Sequence, residues 1–137
     1  MRLSSFHHVA IIGSDLQQSR HFYVDVLGFS CVREVHRAER NDWMLVLRLG
    51  DMELELFIMP SSPARLSYPE ATGLRHLAFH VEDIEQVVST LQASGVVAQP
   101  LRIDPYTGER MTFFMDPDGL PLELREDRMH ADALEKR

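Results

Sequence analysis

A chain of 137 residues, 45% of them hydrophobic and one of them cysteine, fits one domain with enough apolar material for a core, and it excludes a disulfide framework. The formal net charge of −7 is spread along the chain and weighs against nucleic acid or anionic lipid as partners. No apolar run approaches the roughly 20 residues a membrane helix needs. The N-terminus lacks the apolar stretch of a secretory signal, and the single Cys31 favours a reducing compartment, so a cytoplasmic location is expected.

Taken in chain order, residues 6–12 are β-branched and apolar and predict a strand. Asp15 follows as a helix N-cap, with Gln18 at the capping-box position. Leu16, Tyr23, Val26 and Leu27 supply an apolar helical face, and Gly28 stands where a C-cap glycine belongs. Three strands are predicted next, near 29–36, 43–49 and 52–58, the last two joined at Gly50-Asp51. The stretch 60–73, with Pro60, Pro63, Pro69 and Gly73, reads as a linker.

After the linker the same order recurs. A strand around His76-Leu77-Ala78-Phe79 leads to Asp83 and Gln86 as a second cap and box. Ile84, Val87, Val88 and Leu91 follow at helical spacing, and Gly95 ends the helix. Strands are predicted near 96–103, 110–115 and 120–126, the last pair joined by the turn sequence Asp116-Pro117-Asp118-Gly119. The chain is thus expected to be α+β, with one βαβββ module at about 6–59 and another at about 74–126, followed by a polar tail at 127–137.

The duplication is visible residue by residue. His76 follows His8, and Glu123 follows Glu55, by the same 68 positions (76 − 8 and 123 − 55), each with matching apolar neighbours. Because strand side chains alternate, Val9 and Ile11 share one face while His8 and Ala10 share the other, and the same split separates Leu122 and Leu124 from Glu123. A carboxylate on a covered sheet face is costly unless it is paired or bound to metal. Two imidazoles and two carboxylates, His8, Glu55, His76 and Glu123, form a mixed N/O donor set suited to one divalent ion per site: Zn, Ni, Mn, Co or Fe. The bland reading of any single histidine here is a hydrogen-bonded structural residue; the repeat is what favours ligands. His7 is expected on the apolar side at the sheet rim, and His80 on the face of His76 one layer further along. His21, His36 and His130 read as surface residues.

These stretches, together with Phe22-Tyr23, Leu27-Gly28-Phe29, Gly73-Leu74-Arg75-His76, Asp104-Pro105-Tyr106-Thr107 and Asp116-Pro117-Asp118-Gly119-Leu120-Pro121-Leu122-Glu123-Leu124, resemble the vicinal oxygen chelate (VOC) superfamily over residues 6–126. That superfamily includes glyoxalase I, bleomycin-resistance proteins, epimerases and extradiol dioxygenases, and the likeness is greatest to its short YaeR-like group. The resemblance implies paired βαβββ modules whose mixed sheets curl around a metal-binding cup. It implies a glyoxalase-I-like lyase or isomerase acting by Lewis-acid stabilisation of an enediolate on a small oxygen-rich substrate, such as a methylglyoxal–thiol hemithioacetal. By motif, Glu123 takes the role of catalytic base and Glu55 that of its partner in the second proton transfer. The alternatives on the same scaffold are an epimerase, an extradiol dioxygenase, or a non-catalytic small-molecule-binding resistance protein. Retention of all four donor positions places the chain nearer glyoxalase and epimerase chemistry.

Arg37, Arg40, Arg75, Arg102, Arg110 and Arg125 are candidates to meet an anionic group of the substrate. Trp43 and Tyr106 are candidates either to line the cup or to fill the core. Curled sheets in so short a chain leave edges to be covered, so a homodimer is expected, with the modules pairing either within a chain or across the dimer.

Overall fold

A computed structural model describes residues 1–126; the predicted tail and His130 lie outside the described residues. The chain divides into two compact units, Met1–Ala64 and a second beginning at Arg65. Each is one mixed four-stranded sheet with one helical segment. The first contains β1 (Val9–Gly13), α1 (Leu16–Arg20), β2 (Ser30–Arg37), β3 (Asp42–Leu49) and β4 (Met52–Ile58). The second contains β5 (Leu77–Val81), α2 (Ile84–Ala93), β6 (Arg102–Ile103), β7 (Arg110–Met115) and β8 (Pro121–Glu126). Strand orders are β1-β4-β3-β2 and β5-β8-β7-β6. In each sheet the first strand runs parallel to the last and the remaining pairs are antiparallel. Two βαβββ modules are therefore present, as the repeat in the sequence predicts. No helix among the described residues is long and apolar enough to cross a membrane.

Both predicted caps form. Asp15 accepts a hydrogen bond from the Gln18 backbone N–H at 2.8 Å, and Asp83 accepts one from that of Gln86 at 3.1 Å, satisfying N–H groups that a helix start leaves orphaned. The helix after Asp15 differs from expectation. Only Leu16–Arg20 is α-helical; His21–Val26 widens into a π-helical turn, closed by the Leu27 N–H donating to the Phe22 carbonyl at 2.9 Å. The wider turn shifts the apolar face, so that Phe22 and Ser19 are buried beside Tyr23 while Leu16, Val26 and Leu27 are only half-buried. Gly28 then reverses the chain at φ +86, a left-handed conformation open to glycine at little cost.

One face of each sheet carries the core. Ile11, Leu56 and Leu45 stand in register across the first sheet, and Leu77, Leu122 and Phe114 across the second. Leu45, Leu56 and Leu122 are fully buried. α2 packs on β8, and its first N–H, at Ile84, donates to Glu126 Oε2 at 3.0 Å.

Two strand expectations are corrected. The first strand begins at Val9 rather than at residue 6. The strand expected at 96–103 is reduced to Arg102–Ile103. Pro100 has no N–H to give a ladder, and pairing at that end survives only through Gln99, whose N–H donates to the Phe113 carbonyl at 2.8 Å and whose carbonyl accepts from Thr112 Oγ1 at 2.6 Å.

Candidate metal centre

The parallel strand pair at the edge of each sheet positions the candidate donors. Ala10 lies opposite Glu55, and Ala78 lies opposite Glu123. His8 and His76 stand two residues before those alanines, each immediately ahead of its strand, and reach their glutamates diagonally. His8 Nε2 stands 3.2 Å from Glu55 Oε2, and His76 Nε2 stands 3.0 Å from Glu123 Oε2. Alanine at the intervening position leaves room for the imidazole beside the carboxylate. The structure thus gathers the four predicted residues as two pairs, one per unit. Within either unit, among the described residues, no third His, Cys, Asp or Glu joins a pair to make a larger metal-holding group.

The pairs share a backbone plan but have different surroundings. The 68-residue offset holds for the parallel strands, yet Val46 faces Glu55 whereas Phe113 faces Glu123, a shift of one residue in β7. Its cause is the hairpin. Two residues join β3 to β4 after the Leu49–Met52 pair, whereas the second loop runs from Met115 to Pro121 through an Asp116-centred turn. In that turn Asp116 Oδ1 accepts from the backbone N–H groups of Asp118 and Leu120, both at 2.9 Å. As a result the His76 ring packs edge-on against Phe113, with centroids 5.2 Å apart at 90°. Glu123 is nearly enclosed, its side chain 6% exposed against 19% for Glu55.

Two further side chains touch the donors. His7, expected on the apolar side, is exposed, and its ring meets His8 edge-on at 5.0 Å with the two Nδ1 atoms 2.8 Å apart. When His8 carries its proton on Nδ1 and donates it to His7, Nε2 keeps a lone pair for the site. The other neighbour is Arg125, whose Nη1 donates to Glu123 Oε1 at 2.9 Å.

Four of the six candidate arginines are engaged by carboxylates of the chain. Arg37 makes a double contact with buried Asp42, both bonds 2.6 Å, which holds the Asp42 carboxyl below the usual range. Arg75 pairs with Glu70, and Arg110 with Glu126 and Glu85. Arg125 binds Glu123, Asp104 and Glu109, contacts that raise its own pKa. Arg40 sits in the turn after β2. Arg102 has no carboxylate partner among the described residues. Its guanidinium lies over the Phe113 ring, 5.4 Å from the centroid, and its register opposite Met111, which faces Arg125, puts it on the same sheet face as Glu123. Trp43 is half-buried against His36, with centroids 4.6 Å apart, and Tyr106 is 95% exposed, which removes it from the core.

The chain is thus a βαβββ duplication with one His–Glu pair at corresponding positions of each half. Residues 5–124 match the Glyoxalase/Bleomycin resistance protein/Dioxygenase superfamily, and the chain belongs to it. It is similar to the uncharacterised protein YaeR of Escherichia coli (strain K12), 51% identical over 125 residues that cover 90% of this chain and 97% of that one. A crystal structure of a glyoxalase family protein from Enterococcus faecalis is 57% identical, superposes with a TM-score of 0.87, and covers 92% of this chain and all of that one. More distant relatives include a 2-epi-5-epi-valiolone epimerase of an Actinomyces species, 31% identical over 86% of this chain and 76% of its own length. Another is a probable lactoylglutathione lyase of Vibrio cholerae, 28% identical over 93% of this chain and 94% of its own length.

Proposed function

We propose that the chain is a metal-dependent lyase of glyoxalase I type, in which His8, Glu55, His76 and Glu123 hold one divalent ion per site and a methylglyoxal–thiol hemithioacetal is the substrate. The observation that carries this reading is the pair of His–Glu contacts, 3.2 and 3.0 Å, on corresponding strands of the two units. Those separations are near what donors sharing an ion require: two ligands at about 2.1 Å stand about 3.0 Å apart at the right angles of an octahedral site and about 3.4 Å apart at tetrahedral angles. Imidazole nitrogen with carboxylate oxygen suits Zn, Ni, Mn, Co or Fe. When bound, such an ion supplies Lewis-acid polarisation of the substrate oxygens and stabilises negative charge developing on them.

The chain's own residues move the proton. Glu123 takes it from the carbon that bears the hydroxyl and the sulfur, and it is returned to the neighbouring carbonyl carbon with Glu55 as the partner acid. No atom is gained or lost, and the hemithioacetal becomes a thioester of the 2-hydroxy acid. Arg102, the candidate of the second unit left without a carboxylate, meets the anionic end of the thiol. The working form is a cytoplasmic homodimer.

The test is thioester formation by apoprotein reloaded separately with zinc, nickel, manganese, cobalt and iron(II), using the methylglyoxal adducts of glutathione and of an uncharged thiol. Turnover that depends on added metal is expected. Arg102→Ala is expected to raise KM for the glutathione adduct roughly ten- to hundredfold, the loss of one charged hydrogen bond, and to leave the uncharged adduct unaffected. Folded, metal-loaded protein that forms no thioester from either adduct would refute the lyase. The likeness to an epimerase favours one second reading with the same residues, proton exchange at a carbon next to a carbonyl; exchange of substrate deuterium with solvent, without thioester, would mark it.

A further inference from the structure

We propose that Arg125 is a positioning residue that locks Glu123 in one rotamer, and that this lock makes the two module carboxylates unequal. All three nitrogens of Arg125 are engaged. Nε donates to Glu109 Oε2 at 2.9 Å, and Nη2 donates to Asp104 Oδ2 at 2.9 Å and Thr107 Oγ1 at 3.0 Å. Nη1 donates to Glu123 Oε1 at 2.9 Å. With Oε1 tied down, Oε2 is the oxygen that faces His76 Nε2, at 3.0 Å.

The anchor itself is rigid. Asp104, Thr107 and Glu109 belong to the loop joining β6 to β7. The Asp104 N–H donates to the Glu109 carbonyl at 2.9 Å, the Gly108 N–H to the Asp104 carbonyl at 2.8 Å, and Asp104 Oδ1 accepts from the Tyr106 N–H at 2.8 Å. The stretch Asp104-Pro105-Tyr106-Thr107 thereby acquires a purpose: it is a preformed acceptor cradle for one guanidinium. A planar donor fork held on three sides cannot turn without breaking several charged bonds together, so the carboxylate at its remaining corner is held too.

The first unit lacks this device. The residue 68 positions before Arg125 is Phe57, covered by Arg37 at 4.8 Å, and no arginine of its own unit reaches Glu55. Among the described residues Glu55 is paired with His8 alone, and its side chain is three times as exposed as that of Glu123. One carboxylate is held at both oxygens and the other at one, a difference within a duplicated pair.

This inference rests on the proposed ligand set, and its test is read without turnover. Arg125→Lys keeps the charge and loses the fork; Asp104→Asn leaves Arg125 in place and weakens only its anchor. Cobalt(II) titration followed by d–d absorption is expected to show affinity falling about 10–100-fold in both, as for other partners that orient a ligand. Crystals of the metal-free variants are expected to show Glu123 in more than one rotamer. Asp42→Asn, which breaks a buried ion pair in the other unit, is expected to lower Tm and leave cobalt affinity unchanged. If Arg125→Lys fails to fold, Asp104→Asn decides. Wild-type cobalt affinity and an unmoved Glu123 in folded variants would overturn the proposal. If the wild-type protein takes up no cobalt, the metal reading falls, and the Glu123 rotamer in metal-free crystals still decides the role of Arg125.

Discussion

Glu123→Gln is expected to lower turnover of the hemithioacetal by about 10²–10⁴-fold, the ordinary worth of a positioned general base, in a protein that still folds. Shape is preserved, because the amide is isosteric with the carboxylate and the Arg125 Nη1 donor still finds an oxygen at the Oε1 position. That same bond dictates the amide's orientation: oxygen to Arg125, NH₂ toward His76. The substitution therefore also removes an oxygen donor on the His76 side, where Oε2 stands 3.0 Å from Nε2. The assay must be run at saturating metal, with metal content measured on the same sample. Turnover unchanged under those conditions would take proton transfer away from Glu123, whatever its role as a donor.

Leu122→Ala is expected to cost about 2–5 kcal/mol, the range for emptying a fully buried leucine site, and to lower Tm by roughly 6–20 °C. Leu122 has no exposed surface and lies between Leu77 on β5 and Phe114 on β7. Flanked by backbone on both sides, it leaves a hole that the sheet cannot close by a small shift. Against a total stability of about 5–15 kcal/mol, such a loss approaches the limit of folding. Leu122 and Glu123 are consecutive on β8 and face opposite ways, so one strand carries both core and site. Denaturant midpoints check the value; a loss below about 1 kcal/mol would mean that the second sheet is not held by this face.

The period-2 pattern of strands such as β4 and β8, and the aspartate caps at Asp15 and Asp83, were readable because each depends on local chemistry: alternation of faces, and a short carboxylate opposite free N–H groups. The His–Glu pairs were readable because the duplication repeats them with their strand neighbours. What escaped depends on register and wider context. The π turn at His21–Val26 has no sequence signature, and the strand before Arg102 is interrupted at Pro100, which has no N–H to give a ladder. Alternation already sets Arg125 on the face of Glu123, two residues before it, but the acceptors that anchor its other two nitrogens, Glu109, Thr107 and Asp104, lie 16 to 21 residues away in sequence and become visible only once the loop 104–109 is folded. His7 looked like a rim residue because alternation alone says nothing of a chain end that departs from the strand before Val9.

Elemental analysis of the protein, of His8→Ala and of His76→Ala, each purified without added metal and checked for folding, tests the shared donor set most directly. One divalent ion per chain is expected in the wild-type protein, and its loss in both variants, because neither His–Glu pair suffices alone. Undiminished metal in either folded variant, or none in the wild-type protein even after reconstitution, would contradict a shared donor set.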